Sequence, residues 1–334
     1  MFLFVLNDEI MLVIGIESSA HTFGVGIVKD GKVLSNAKSM YKITNKGMIP
    51  IEVAEHHIEN AASTIKKAVL EAGISFKELE GVGYTMGPGL GPCLQVGQLS
   101  AKALAYKLNI PLLPINHGLA HIEITKHMER LKDPLVLYVS GGNSQLLVFN
   151  KEERRYIILG ETFDMGVGNA IDNLARKLGL EHAWGSEVEK LAKDGKYIKM
   201  PYTVKGMDFA FTGLLTNAIG MLKKYSVKDI LFSFQETAFA QLCEATERAL
   251  LLTKKSELCV CGGVAQNNRL AEMLTSIAEE HNIRFARTKN EFNSDNGAMI
   301  AIVAEKEFLK GKRCSIKRCD IKQRYRVDEA VFYG

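Results

Sequence analysis

The stretch LVIGIESSAHTFGVGIVKDGKVL, residues 12–34, decides the fold of this chain. It holds three apolar runs, LVIGI, GVGIV and KVL, which are separated by a polar turn and by Asp30-Gly31. Short apolar runs bounded by turn residues are typical of strands, and Asp-Gly favours a two-residue hairpin. The stretch therefore predicts three consecutive strands joined by tight turns.

The same organisation returns near the middle of the chain. LVLYV (135–139), QLLVF (145–149) and YIIL (156–159) again give strand, polar glycine turn, strand and strand. Helical apolar periods follow each of these meanders, which indicates an α/β fold. We predict two duplicated ribonuclease-H-like domains of the actin and sugar-kinase superfold, with function in the cleft between them. The first domain is placed at 11–130, completed by the C-terminal 298–330, and the second at 131–297.

Composition excludes several classes of protein. The 334 residues are 47% hydrophobic and 24% charged, which is typical of a globular protein and not of a disordered chain. No apolar run reaches the ~18 residues that a membrane span needs. The apolar residues 1–6 have no basic residues before them, so a secretion signal is not expected and the predicted location is the cytoplasm. Six scattered cysteines without a C-x-x-C pair predict unbridged thiols.

Basic residues are concentrated near the C-terminus, in the segment 310–326. Its inner members are Lys312, Arg313, Lys317, Arg318, Lys322 and Arg324, opposed by Asp320. One interpretation is a solvated surface. The other is a strip that neutralises nucleic-acid phosphates.

Two histidines have the spacing of metal ligands. His117 and His121 are four residues apart, so on a helix they project from one face within reach of one ion. Such a pair also occurs by coincidence, and two ligands do not complete a site. Asp295, in the turn NSDNG, is a plausible third ligand, and Tyr138 a fourth whose phenolate favours iron over zinc. His56 and His57 are alternatives, but adjacent residues project ~100° apart on a helix.

Three short turns have backbone amides that suit a phosphate. ESS (17–19), GPGLGP (87–92) and SGGN (140–143) each follow a predicted strand. GGVAQN (262–267) lies where a strand turns into a helix, so Asn267 either binds a nucleoside or caps that helix. Asp164 and Asp172 offer carboxylates for a ribose or a metal.

Taken together, these segments resemble a known family. From about residue 11 to 325 the chain is similar to the universal tRNA N6-threonylcarbamoyladenosine transferases, called TsaD in bacteria, and most of all to the archaeal and eukaryotic KEOPS catalytic subunit. The matching segments are GIESSAH (15–21), GPGLGP (87–92), NHGLAH (116–121), YVSGGN (138–143), GETFD (160–164), GGVA (262–265) and DNGAM (295–299).

The resemblance implies a reaction and a site. It implies transfer of a threonylcarbamoyl group from threonylcarbamoyl-adenylate to N6 of the adenosine 3′ of the anticodon, position 37, in tRNAs reading ANN codons. It implies that one iron or zinc ion is held by His117, His121, Tyr138 and Asp295. It also implies that the donor, ATP or the adenylate, is held by Tyr138, Val139, Ser140, Gly141, Gly142, Asp172, Gly185, Glu189 and Asn267. The implied partners are tRNA, a small protein kinase and other small KEOPS subunits.

One loop departs from the family pattern, and rival functions remain. HAWGSE (182–187) stands where the family has a Pro-Gly-Gly-Pro turn, although Gly185 is kept. An ATP-dependent kinase or ATPase of the same superfold is the first rival, but magnesium prefers oxygen ligands to histidine. A metalloprotease is disfavoured because His117-Gly-Leu-Ala-His121 has no glutamate to act as base. A non-catalytic nucleic-acid-binding scaffold is the third.

Overall fold

A computed structural model describes residues 11–42, 47–180 and 185–334. The first elements are β1 (Leu12–Glu17), β2 (Thr22–Lys29), β3 (Lys32–Met40), α1 (Pro50–Glu71), β4 (Gly81–Gly87), α2 (Gly91–Leu108), β5 (Leu112–Asn116) and α3 (His117–Met128). They are followed by β6 (Leu135–Val139), β7 (Ser144–Asn150), β8 (Arg155–Glu161), α4 (Val167–Lys177), α5 (Gly185–Ala192), α6 (Thr212–Gly220) and α7 (Val227–Thr253). The last are β9 (Glu257–Cys261), α8 (Asn268–Glu280), β10 (Arg284–Arg287), α9 (Asn290–Asn293) and α10 (Gly297–Leu309).

The strands form two five-stranded sheets with one topology. Their orders are β3-β2-β1-β4-β5 and β8-β7-β6-β9-β10. In each sheet an antiparallel meander continues into two strands that run parallel to its first strand. The predicted α/β fold with a duplicated meander is therefore confirmed.

The chain divides into two compact units. Unit 1 comprises Met1–Ile124 and Asp295–Gly334, and unit 2 comprises Thr125–Ser294. The domain bounds predicted from the sequence, after residues 130 and 297, lie a few residues further along the chain. Unit 1 is thus built from both ends of the chain.

Glycines in the sheet of unit 1 let α10 pack against its backbone. Gly15 and Gly26 face each other across β1 and β2. A Cβ atom at Gly15 would lie 2.2 Å from the amide nitrogen of Ala301, and one at Gly26 would lie 2.2 Å from that of Ala298. No side chain fits there, because real Cβ atoms do not approach so closely. The glycines thereby fix the position of α10.

The start of α10 is fixed by its own cap. The side-chain oxygen of Asn296 accepts a hydrogen bond of 3.0 Å from the backbone N–H of Met299. Asn is among the preferred N-cap residues because its short side chain reaches the free amides of the first turn. Asp295 is therefore held immediately before the helix.

Large apolar side chains fill the core of unit 2. Leu135 and Leu137 of β6 are fully buried with Phe234, Ala238 and Leu242 of α7. α7 has 27 residues. Within the described ranges, however, neither it nor any other helix is long and apolar enough to span a membrane.

The cysteine prediction was wrong for one pair. Cys314 and Cys319 form a disulfide, with Cα atoms 6.2 Å apart. Cα separations in that range allow a bridge. Cys93 and Cys243 are buried thiols, as expected.

Candidate functional site

Three side chains of unit 1 that the sequence analysis named as metal ligands lie close together. The side chain of Asn116 caps α3 by accepting the N–H of Leu119 at 2.9 Å, so both histidines lie on the first turns of one helix. Asp295 Oδ1 is 3.1 Å from His121 Nε2 and 3.6 Å from His117 Nε2. The three ligand atoms all lie within 4.8 Å of one another.

This donor set fits a transition metal. A tetrahedral ion with bonds of ~2.1 Å places its ligand atoms ~3.4 Å apart, close to the separations of 3.1 and 3.6 Å between the histidine nitrogens and Asp295 Oδ1. Two imidazole nitrogens and one carboxylate oxygen suit zinc or iron better than magnesium. Tyr138, the fourth predicted ligand, is buried in β6 of unit 2, and its part in the site stays a prediction.

A carboxylate that the sequence did not single out supports the first histidine. Glu17, at the end of β1, is fully buried, and its Oε2 lies 3.0 Å from His117 Nδ1. The Ser19 amide donates to Oε1 at 2.6 Å, and the Thr85 hydroxyl donates to Oε2 at 2.6 Å. The sequence signalled Glu17 only as part of a polar turn, since its contact with His117 spans 100 residues.

The carboxylates of Glu17 and Asp295 make the surroundings of the two histidines favourable for positive charge. Burial alone lowers the pKa of His117, but Glu17 and Asp295 outweigh it and raise the pKa to about 9. Burial lowers the pKa of His121. Burial opposes ionisation of Asp295, yet the hydrogen bond from His121 and the charge of His117 hold the pKa of that carboxyl below its usual range. The site thus attracts either a proton or a metal cation.

The rings of His56 and His57, the alternative ligands, contact each other and neighbouring polar groups. Ser39 Oγ lies 3.1 Å from His56 Nε2, and the two Nδ1 atoms are 3.3 Å apart. His57 Nε2 donates to the carbonyl of Ala20 at 2.8 Å. Burial, the largest cause, lowers the pKa of His57 to about 4. The ring nitrogens of His57 are therefore committed to this chain of hydrogen bonds.

The turn of unit 2 that is predicted to bind the donor, residues 138–142, is hydrogen-bonded to the first turn of α4. The carbonyls of Ser140 and Gly141 accept the N–H groups of Gly168 at 3.2 Å and Asn169 at 3.1 Å. A Cβ at Gly168 would lie 2.8 Å from the Ser140 carbonyl oxygen, so the approach needs glycine there. Gly142 is exposed, and a Cβ on it would meet nothing within 4 Å.

Two further residues that are predicted to bind the adenylate donor meet at the start of α8. Glu189 Oε1 accepts the backbone N–H of Asn268 at 3.0 Å. The side-chain oxygen of Asn267 accepts two N–H groups of α8, at 2.9 and 3.2 Å, and its amide nitrogen donates to Gln235 at 3.0 Å. Asn267 therefore does cap the helix, the second of its two interpretations.

The remaining predicted donor residues are distributed over unit 2. Val139 is buried at the end of β6, Gly185 begins α5, and Asp172 lies in α4, where burial raises its pKa to about 6. Asp164 instead accepts the amides of Phe211 and Thr212 at the start of α6. Of the departing loop, residues 181–184 lie outside the described residues. The donor roles stay predictions.

The basic C-terminal segment passes close to α3. The side-chain nitrogen of Asn116 donates to the carbonyl of Tyr325 at 3.0 Å, and the amide of Lys322 donates to the carbonyl of Met86 at 2.7 Å. Asn116 thus joins the start of the histidine helix to the segment 310–326.

Solved structures share the fold at low sequence identity. HypF from T. kodakarensis is 16% identical, with a TM-score of 0.60 over 90% of this chain and 48% of that one. (R)-2-hydroxyglutaryl-CoA dehydratase component A from Acidaminococcus fermentans is 14% identical, with a TM-score of 0.59 over 89% of this chain and 98% of that one. They support the predicted actin and sugar-kinase fold class, and nothing about the reaction is taken from them.

Sequence comparisons extend over nearly the whole chain. The profile of the TsaD family, described as tRNA N6-adenosine threonylcarbamoyltransferase, matches residues 31–302. A protein of that name from Thermococcus sibiricus is 48% identical over 96% of this chain and 98% of its own. A probable bifunctional tRNA threonylcarbamoyladenosine biosynthesis protein from Thermoplasma volcanium is 45% identical over 96% of this chain and 60% of its own. The chain therefore belongs to the TsaD family of tRNA N6-adenosine threonylcarbamoyltransferases.

Proposed function

We propose that the protein is the catalytic subunit of a cytoplasmic KEOPS complex. It transfers the threonylcarbamoyl group of threonylcarbamoyl-adenylate to N6 of adenosine 37 in tRNAs that read ANN codons. The observation that carries the proposal is the convergence of His117, His121 and Asp295 in a chain of this family. A site of two imidazoles and a carboxylate suits a cation that activates an acyl donor.

One iron or zinc ion completes this site, with His117, His121, Asp295 and Tyr138 as its ligands. The bound ion supplies Lewis acidity toward an oxygen of the donor. The chain's own residues prepare the site, because Glu17 accepts the Nδ1 proton of His117 and the cap of α10 holds Asp295 in place. These contacts reduce the reorganisation that binding requires.

The donor, ATP or the adenylate, is bound by unit 2. Its phosphate lies against the turn of Tyr138, Val139, Ser140, Gly141 and Gly142, whose exposed glycine leaves room for close approach. Asp172, Gly185, Glu189 and Asn267 hold the nucleoside. The carboxylate of Asp172 is half-buried, so burial removes part of its hydration. Ribose hydroxyls suit this carboxylate because the hydrogen bonds that they donate stabilise it.

The partners are tRNA, a small protein kinase and other small KEOPS subunits. Exposed Lys317, Arg318 and Arg324 support a role of the C-terminal segment in contacting RNA phosphates, since that segment is bonded to Asn116 beside His117. The kinase and the other subunits are proposed from the family resemblance.

Reconstitution tests the reaction directly. The purified chain and its partner subunits are incubated with tRNA, threonine, bicarbonate, ATP and the adenylate-forming enzyme, and the tRNA nucleosides are then analysed. We expect threonylcarbamoyladenosine at position 37. ADP formation from ATP by the purified chain alone, with unmodified tRNA, would instead favour a kinase or ATPase of the same superfold, and tRNA binding without any reaction would favour a scaffold.

A further inference from the structure

We propose that Glu17 is a positioning residue of the metal site, which holds the His117 ring in the tautomer and orientation that leave Nε2 as the ligand atom. The inference rests on the proposed function only in that the site takes a metal. It concerns a residue that lies 100 positions from the histidine that it contacts.

The tautomer follows from the chemistry of the contacts. An ionised carboxylate only accepts hydrogen bonds, so each group that contacts Glu17 must donate. His117 Nδ1, 3.0 Å from Oε2, therefore carries a proton. In the neutral ring the lone pair is then on Nε2, the atom that faces Asp295 Oδ1 at 3.6 Å. Two acceptors that face each other leave a position for a cation.

Glu17 is itself held from two sides. The Ser19 amide fixes Oε1 at 2.6 Å, and the Thr85 hydroxyl on the neighbouring strand β4 fixes Oε2 at 2.6 Å. Because both partners belong to the sheet or its turn, the carboxylate has little freedom to rotate. A fixed carboxylate behind a histidine ligand orients the ring and increases its basicity.

A purely structural role does not explain a carboxylate at this position. Glu17 is 0% exposed, and among the described residues no Lys or Arg forms an ion pair with it. Burying a charge costs several kcal/mol, and the group that offsets this cost for Glu17 is the His117 ring, 3.0 Å away. Val139, at the end of the matching strand β6 in unit 2, is equally buried and apolar. The fold therefore accepts an apolar residue at this end of a strand.

The variant Glu17→Gln reverses the hydrogen bond to the histidine with little change of shape. The amide oxygen accepts from Ser19, which leaves the NH2 group facing His117 Nδ1. Since NH2 donates, His117 must carry its proton on Nε2 to satisfy it, and that tautomer does not bind a metal. Glu17→Asp keeps the charge but shortens the reach, so it should retain part of the effect.

A matched control exists on the same unit. Glu305, on α10, is also a buried carboxylate, and it accepts the backbone N–H of Gly31 at 2.9 Å. Glu305→Gln therefore reports what an amide in place of another buried carboxyl group of unit 1 does to folding. It makes no contact with His117, His121 or Asp295.

The experiment measures zinc affinity by chelator competition and the visible absorption of the Co²⁺-loaded protein. We expect Glu17→Gln to weaken zinc binding about 10- to 100-fold and to alter the Co²⁺ bands. Glu17→Asp should lie between it and the wild type, and Glu305→Gln should match the wild type. Thermal melting of the metal-free proteins shows whether each variant folds.

The outcomes separate this inference from the proposed function. Wild-type zinc affinity and Co²⁺ bands in a folded Glu17→Gln variant would overturn the role of Glu17. An equal loss of affinity in Glu305→Gln would also overturn it, because the effect would then be a general loss of structure. If the wild type binds metal but transfers no threonylcarbamoyl group, the proposed function fails while the measured affinities still decide the role of Glu17.

Discussion

The turn after β1 and the turn after β6 occupy the same place in two sheets of the same topology, yet they differ in chemistry. The first begins with the buried carboxylate of Glu17, which reaches His117. The second contains Ser140, Gly141 and Gly142, and exposes backbone at Gly142. A duplicated scaffold therefore provides equivalent positions with different chemistry, and we propose a cation beside the first turn and a phosphate at the second.

The helices that cover the two sheets differ in a related way. α10 packs on glycines of unit 1, with its backbone within reach of the strands, whereas α7 packs on Leu135 and Leu137 of unit 2. Close packing leaves little freedom at the start of α10, where Asp295 lies. In the unit with the histidines, the carboxylate of Asp295 therefore directly precedes a helix that is closely packed on the sheet.

The largest effect should come from removing the two imidazoles. We expect the double variant His117→Ala, His121→Ala to lose bound metal and at least ~1000-fold of the transfer rate, because Asp295 and the proposed ligand Tyr138 cannot hold the ion without the two imidazoles. Elemental analysis measures the metal content, and nucleoside analysis of the tRNA measures the transfer. The control is His281→Ala in unit 2, whose side chain pairs with Glu247. Unimpaired transfer by a metal-free double variant would refute the metal's role.

The glycine contact under α10 should give the next largest effect. Gly15→Ala places a methyl group 2.2 Å from the backbone of Ala301, so we expect a loss of ~3 kcal/mol or more in the free energy of unfolding. Urea unfolding measures it. Gly213→Ala, in α6, is the control, since its nearest contact would be 3.9 Å and alanine favours helix. A Gly15→Ala variant as stable as the control would contradict the close packing.

Asp172 should make stability depend on pH in unit 2. Burial raises its folded-state pKa to about 6, above the ordinary 3.8, so the folded state binds the extra proton and stability falls as the pH rises from ~4 to ~6. We expect Asp172→Asn to be more stable than the wild type at pH 8 by ~1–2 kcal/mol, allowing for solvent screening, and equal to it near pH 4. Urea unfolding at both pH values tests this. A difference that is the same at both would exclude titration of Asp172 as its cause.

The smallest effect should come from the glycine turn. Gly142→Ala meets no protein atom within 4 Å, so we expect unchanged stability but ATP binding weakened ~10-fold if a phosphate lies against that backbone. Calorimetric titration measures the affinity. Gly220→Ala, which is equally open, should change neither property. Unaltered ATP affinity in Gly142→Ala would show that no phosphate lies against this turn.

Local patterns predicted the parts of the fold that depend on local chemistry. The alternation of apolar runs and turns at 12–34 predicted β1 to β3, and the four-residue spacing predicted that His117 and His121 share a helix face. The short helix α6 was not predicted. Its first amides are capped by Asp164, which lies 47 and 48 residues earlier, so no local signal marks its start.

Contacts between distant residues were harder to predict. Asp295 was expected near the histidines because its turn suits a ligand, but Glu17 was missed because its partners His117 and Thr85 are brought to it only by the sheet. Asn267 had two interpretations that sequence alone did not separate; its hydrogen bonds to α8 and Gln235 show the cap, and nucleoside binding stays a prediction. Local sequence patterns do not predict side-chain roles that depend on the order of the strands in a sheet.

Unit 1 is assembled from both ends of the chain, and this sets an order for making the metal site. Asp295 follows His121 by 174 residues, and the whole of unit 2 is synthesised between them. Because domains fold largely as they emerge from the ribosome, unit 2 can be complete while unit 1 still lacks α10. Loading of the proposed ion would therefore be a late event in biogenesis, since a nascent chain that ends before residue 295 lacks the Asp295 ligand.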